Sequence, residues 1–246
     1  MGIKKIIAAA VLLGLGTAAL AVPASADDHI LAESRRSYMG RTYPPQTSEI
    51  WIGADKVYAR AGAVTTIDRY DLGKRWVLNV RTMKYLEEML GAPVVPEAED
   101  KGPLRVQELG WSYAPSYIWT GKMTGEDKVI DGRTCVKALL TGVAEYAEET
   151  REIWLAKDVP IDARKYFQRL IAPGLDGTLA RVYGKTSALR DRLPIRSIVT
   201  QEPPIAGRTV WENVMTKIET AAPPAGIYDV PPAFVKAANR DEWLGQ

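Results

Sequence analysis

EIWIGADKVYARAGAVTTIDRYDLGKRWVLNV, residues 49–80, decides the fold. It consists of short β-branched and aromatic runs, Glu49 to Ala59, Val64 to Asp71 and Lys74 to Val80, separated by links such as Leu72-Gly73. Runs of this composition bounded by turn residues read as strands, and links this short join neighbours as hairpins. Outward from it the same pattern recurs at Tyr117 to Met123, Thr134 to Gly142, Thr150 to Lys157, Leu179 to Tyr183, Pro194 to Gln201 and Thr209 to Thr220, with Asp131-Gly132 as one of the turns. Consecutive hairpins imply an antiparallel meander. Helix is a minority: Ile161 to Ile171, with Asp162 as N-cap and Pro173-Gly174 as its stop, and a short piece at Pro232 to Arg240. Gly91 to Gly110, rich in Pro, Gly and acidic residues, reads as a long surface loop, and there is no internal repeat.

The runs are not simple half-wet strands. Lys74 to Val80 gathers Trp76, Leu78 and Val80 on one face, whereas Thr150 to Lys157 opposes Ile153 and Leu155 to Trp154 and Ala156. Thr209 to Thr220 opposes Trp211 and Met215 to Val210, Val214 and Ile218, and Glu49 to Ala59 opposes Trp51 and Val57 to Ile50, Ile52 and Tyr58. An antiparallel sheet that is apolar on both sides must cover its second face, with helices packed into a curved sheet or with a cavity for an apolar guest. The Ile161 to Ile171 helix is the natural cover.

The first 26 residues read as a secretory signal: Lys4 and Lys5 as a basic region, Ile6 to Val22 as the apolar core, and Ala24-Ser25-Ala26 before cleavage at Asp27. The expected product is a single soluble domain, 27–246, in the periplasm or outside the cell, without a transmembrane segment after cleavage. The chain of 246 residues carries 32 basic and 30 acidic side chains. Removing Lys4 and Lys5 leaves these equal, and a neutral chain is not a nucleic-acid binder by bulk charge. Cys135 is the single cysteine, so stability has to come from packing and not from an intramolecular disulfide.

Several of these runs together resemble the outer-membrane lipoprotein carrier superfamily, the LolA-like fold, in its exported branches. The residues that carry the resemblance are Glu49-Ile50-Trp51-Ile52, Asp55-Lys56-Val57-Tyr58, Asp68-Arg69-Tyr70-Asp71-Leu72, Arg75-Trp76-Val77-Leu78-Asn79 and Lys84-Tyr85. Downstream they are Val129-Ile130-Asp131-Gly132, Cys135, Lys137, Glu152-Ile153-Trp154-Leu155-Ala156 and Gly226-Ile227-Tyr228-Asp229-Val230-Pro231. The resemblance implies a mainly β (α+β) fold: a strongly curved antiparallel sheet forming an incomplete barrel, covered by a few helices and enclosing an apolar cavity.

Chemistry-bearing residues are sparse. His29 is the only imidazole and falls three residues from the expected N-terminus, where chains fray. Cys135 lacks a partner base and reads as a small packed hydrophobe. Glu145, Glu148, Glu149 and Glu152 read as a solvated charge run, and Gly174-Leu175-Asp176-Gly177 as a turn. No metal, cofactor or catalytic residue is expected. The compositional excess is seven Trp and eleven Tyr against two Phe. Trp51, Trp76, Trp119, Trp154 and Trp211 lie in expected strands and are the candidate ligand-binding residues, since indole rings give large amphipathic contact area. The reading is a non-enzymatic exported binder or carrier of a lipid-like or other apolar ligand in the bacterial envelope. An interaction or structural protein meeting an envelope partner is the alternative, and a carboxylate-dependent hydrolase ranks last.

Overall fold

The computed structural model describes residues 26–90, 117–145, 147–174, 177–203 and 207–245. Residues 1–25 of the expected signal sequence and the loop expected from Gly91 to Gly110 lie outside them. Thirteen strands form one unclosed sheet: β1 (Asp27–Tyr38), β2 (Arg41–Thr42), β3 (Gln46–Ile52), β4 (Lys56–Ala61), β5 (Val64–Arg69), β6 (Lys74–Asn79), β7 (Lys84–Met89), β8 (Ile118–Ile130), β9 (Arg133–Ala144), β10 (Ala147–Ala156), β11 (Leu193–Glu202), β12 (Thr209–Ala221) and β13 (Val235–Lys236). Their order is β13-β7-β6-β5-β4-β3-β1-β12-β11-β10-β9-β8, with β2 beside β1. Two hairpin meanders, β3 to β7 and β8 to β12, are thus joined through β1, and among the described residues only the β13–β7 pair is parallel.

Four of the sequence readings change. Glu49 to Ala59 is two strands, because Gly53 donates its N–H to the Lys56 carbonyl at 2.8 Å and closes a hairpin between β3 and β4. Leu179 to Tyr183 is helical, within α2 (Gly177–Lys185), because Leu179, Val182 and Tyr183 fall at helical spacing and bury one face. Pro232 to Asn239 forms no helix. Val235 and Lys236 pair with β7, and Asn239 accepts the Glu242 N–H at 2.9 Å to start a short helix at Arg240–Leu244. The first twelve residues after Ala26 form the central strand β1 and are not frayed.

The remaining helix starts as expected. Asp162 accepts from the N–H groups of Arg164 and Lys165 at 2.9 and 3.2 Å and caps α1 (Ala163–Tyr166). The chain then widens into a π-helical turn over Phe167–Ile171, closed by the Ala172 N–H on the Phe167 carbonyl. Pro173 follows, and its ring would clash with the Arg169 carbonyl in a continued α-helix. α2 and α3 (Ser187–Asp191) complete the cover.

Side chains alternate across the sheet, so paired residues assign the faces. On the helix-covered face, Ile30, Ile52, Val57 and Ile195 pack with Ile161, Ala163 and Tyr166, while Ala138, Leu140, Ile153 and Leu155 pack with Phe167, Leu179, Tyr183 and Leu189. Each large side chain buried here contributes about 1.5–3 kcal/mol. Gly121 makes the fit of α2 on β8 achievable, since a Cβ there would collide with Val182 and Leu140.

On the other face, one residue from each of seven strands stands in register: Glu219, His29, Trp51, Tyr58, Ile67, Trp76 and Glu87. The chain after β12 crosses this rank. Tyr228 donates to Asp27 at 2.7 Å, Arg69 donates to Asp229 at 3.1 Å, and Lys236 pairs with Glu87 at 3.0 Å. Asp27, Arg69 and Glu87 all belong to this face by alternation, which places the segment around Tyr228 and Asp229 over it before the chain joins the sheet edge as β13. Ile67 is accordingly 1% exposed although it faces away from the helices. The same face of β9 to β12 carries ion pairs instead, Lys137 with Glu152 at 3.0 Å and Arg196 with Glu212 at 2.6 Å, beside a cross-strand row Thr120, Thr141, Thr150 and Thr200.

Candidate functional site: a cleft between β4–β6 and the π-helical turn

The helix cover is not uniform. Between Ile153, Leu155, Phe167, Tyr183 and Leu189 there remains a void of about 20 Å³, room for roughly one water. The interior over β9 to β11 is therefore filled core. Over β4 to β6 it opens into a cleft of about 310 Å³, at the low end of the roughly 300–1,000 Å³ of ligand pockets. Its floor is the helix-covered face of three strands, with Val57 and Ala59 as the apolar part and Thr66, Asp68 and Arg75 as the polar part. Arg169, Leu170 and Pro173 form the roof.

Local folding explains each position. Ile50, Ala59, Thr66, Val77 and Leu86 are successive cross-strand partners, so they run as one row across β3 to β7, half-buried beside the helix cover. Asp68 and Arg75 are also cross-strand partners, and the guanidinium grips the carboxylate twice, at 2.6 and 2.7 Å. Asp68 is 3% exposed, and a buried carboxylate persists only when paired in this manner. The widened turn brings Arg169 and Leu170 onto the cleft; π-turns are frequent at functional sites. Arg169 donates to the Ala54 carbonyl at 3.0 Å, and its guanidinium carbon lies 3.8 Å from the Tyr70 ring centre. Burial pushes the Tyr70 hydroxyl above its usual range, so it remains a neutral group at the wall.

The structure does not bring the five candidate tryptophans onto one wall. Trp51 and Trp76 stand in the tail-crossed rank, where their Nε1–H groups donate to Glu49 at 3.1 Å and Glu87 at 3.0 Å. Trp154 pairs across strands with Lys137 and Arg196, away from Ile153, and donates to Glu152 at 2.9 Å. Trp119 lies over Gly142, where a Cβ would come within 2.9–3.0 Å of the indole, with Arg151 4.6 Å from its ring centre. Trp211 lies on the helix-covered face beside Arg36, 5.6 Å away. None of the five lines the cleft.

The other candidates also have definite places. His29 is 7% exposed, stacks on Trp51 with ring centres 4.0 Å apart, and donates from Nδ1 to Glu219 at 2.9 Å. Cys135 is fully buried, and burial pushes its thiol up, away from the reactive thiolate. Within the acidic run, Glu149 is not solvated: it is 3% exposed, bound by Arg151 and Gln201 at 2.6 Å each. Leu175 and Asp176 of the expected turn lie outside the described residues. Among the described residues no group of three or more His, Cys, Asp or Glu is placed to hold a metal ion, and no helix is long and apolar enough to cross a membrane.

Comparison with known proteins gives likeness in fold only. No protein-family model and no curated protein matches the chain in sequence. Among solved structures it is similar to PNGF-II, at 11% identity and a TM-score of 0.42, over 86% of this chain and 31% of that one. It is also similar to a DUF1329 family protein from Desulfovibrio piger, at 12% identity and a TM-score of 0.31, and to a LolA superfamily protein from Nitrosomonas europaea, at 8% and 0.26. Both comparisons cover 84% of this chain and 90% of the other. A protein of the superfamily read from the sequence is among the solved structures this chain is similar to. The chain spans about a third of PNGF-II.

Proposed function

We propose that this chain is a non-enzymatic binding or carrier protein for an apolar, lipid-like ligand, working in the bacterial cell envelope after export. One observation carries the reading: the face that is tightly filled over β9 to β11 opens over β4 to β6 into a cleft whose walls include Val57, Ala59, Leu170 and Pro173. Leaving such surface in contact with water costs about 25 cal/mol per Å², so an apolar guest gains by covering it. The resemblance seen in the sequence points the same way. Native mass spectrometry of protein purified from the envelope, with calorimetric titration of dodecanol, tests it. The expected result is a co-purifying lipid or a saturable exotherm with a negative heat-capacity change. A bare mass together with no saturable binding would sink the proposal.

A second reading, an interaction protein, has one observation in its favour. Ile118 and Val143 are cross-strand partners on β8 and β9 and are 71% and 54% exposed, an apolar pair open to a partner.

A further inference from the structure

We propose that the guest is an amphiphile with a single anionic group, its tail along the apolar floor of the cleft and its carboxylate or phosphate at Arg169. This rests on the apolar-ligand reading and adds the head-group chemistry. The cleft is lined by two cations and one anion. Arg75 spends its planar fork on Asp68, so those two charges cancel. Arg169 has no carboxylate partner among the described residues: it donates to the Ala54 carbonyl, and its guanidinium lies over the Tyr70 ring with the Tyr70 hydroxyl in hydrogen-bonding reach.

A guanidinium has five N–H donors, and one carbonyl and one hydroxyl leave several of them without a protein acceptor. The two contacts do hold the group in place. A cation fixed beside apolar walls attracts an anion more strongly than one in open water, because the local dielectric is lower. Its planar donors also match a carboxylate or phosphate in two-point geometry. On the opposite side, Val57 and Ala59 present methyl groups with no hydrogen-bonding capacity, so a polar tail would lose its water without compensation. Apolar floor and cationic roof together define an amphiphile.

Calorimetric titration with matched probes reads this directly: dodecanoate and dodecyl phosphate as anionic amphiphiles, dodecanol as the neutral one, and acetate and inorganic phosphate as heads alone. A charge-assisted contact predicts that the anionic amphiphiles bind about tenfold or more tighter than dodecanol, with the heads alone binding far more weakly. In Arg169→Gln the preference should collapse toward unity while dodecanol affinity is retained, and Arg169→Lys should restore part of it. The comparison within the unaltered protein stands even where a variant does not fold. Equal affinity for dodecanoate and dodecanol, or a preference that survives Arg169→Gln, would overturn the head-group assignment and leave the apolar-ligand reading intact. Acetate or phosphate binding as tightly as dodecanoate would overturn it in favour of a simple anion site. No binding by any probe would end both proposals.

Discussion

At position 29 the chain's single imidazole is buried in the central strand, between Trp51 and Glu219. Nearness to the expected N-terminus says nothing of this, because the burial comes from pairing with β3 and β12, both distant in sequence. The same limit applied to Glu149: the acidic run was visible, but its orientation depends on Gln201 in another hairpin. Single residues give three tests. Gly142→Ala places a methyl against the Trp119 ring, so urea denaturation should show a loss of about 1–3 kcal/mol, the usual cost of overpacking. Cys135→Ser should cost about 1–3 kcal/mol through a hydroxyl in an apolar site while leaving probe binding unchanged; lost binding at full stability would reveal a role for the thiol. For Glu87, hydrogen bonds from Trp76 and Lys236 pull the pKa from 4.5 to about 2. A depressed folded-state pKa gives stability that is present above the unfolded value and lost as pH falls. The Tm gap between the native protein and Glu87→Gln should therefore be widest above pH 4.5 and close as pH drops toward about 2. A gap independent of pH would show that the hydrogen bonds do not set the titration.

At the scale of elements, most hairpins of the meander were legible because each depends on local alternation and turn residues. Failures occurred where one short signal fitted two structures. Residues 49–59 read as one strand-like run, yet the chain turns at Gly53-Ala54-Asp55-Lys56 and the hairpin resets the alternation, placing Val57 with Ile52 and Tyr58 with Trp51. Leu179 to Tyr183 fits strand or helix, and packing against β8 decides it. The need to cover a second apolar face was readable, but not that the chain's own C-terminal segment would do it. That element is testable at its anchor. Tyr228→Phe removes the donor to buried Asp27, where hydrogen bonds to charged groups contribute about 1.5–3 kcal/mol, so a loss of that size is expected in denaturation. A loss near zero would mean the segment is held by its other contacts alone.

At the scale of the whole molecule, two meanders share one helix cover, and the cleft lies where the π-helical turn of that cover stands over β4 to β6. Tryptophan content suggested a binding wall because large rings in strands are visible in a sequence. The cleft is not visible there, since Ala59, Thr66 and Leu170 are unremarkable residues that meet only when β4, β5 and the π-helical turn converge. Filling it from the floor with Ala59→Trp should abolish probe binding while stability changes by less than about 1–3 kcal/mol, because the position is half-exposed. The most direct measurement is an NMR titration of the isotope-labelled protein with dodecanoate. The account predicts the largest chemical-shift changes at Ala59, Thr66, Leu170 and Arg169, with the indole N–H signals of Trp51, Trp76 and Trp154 unmoved; shifts centred on those indoles, with the cleft residues silent, would contradict it.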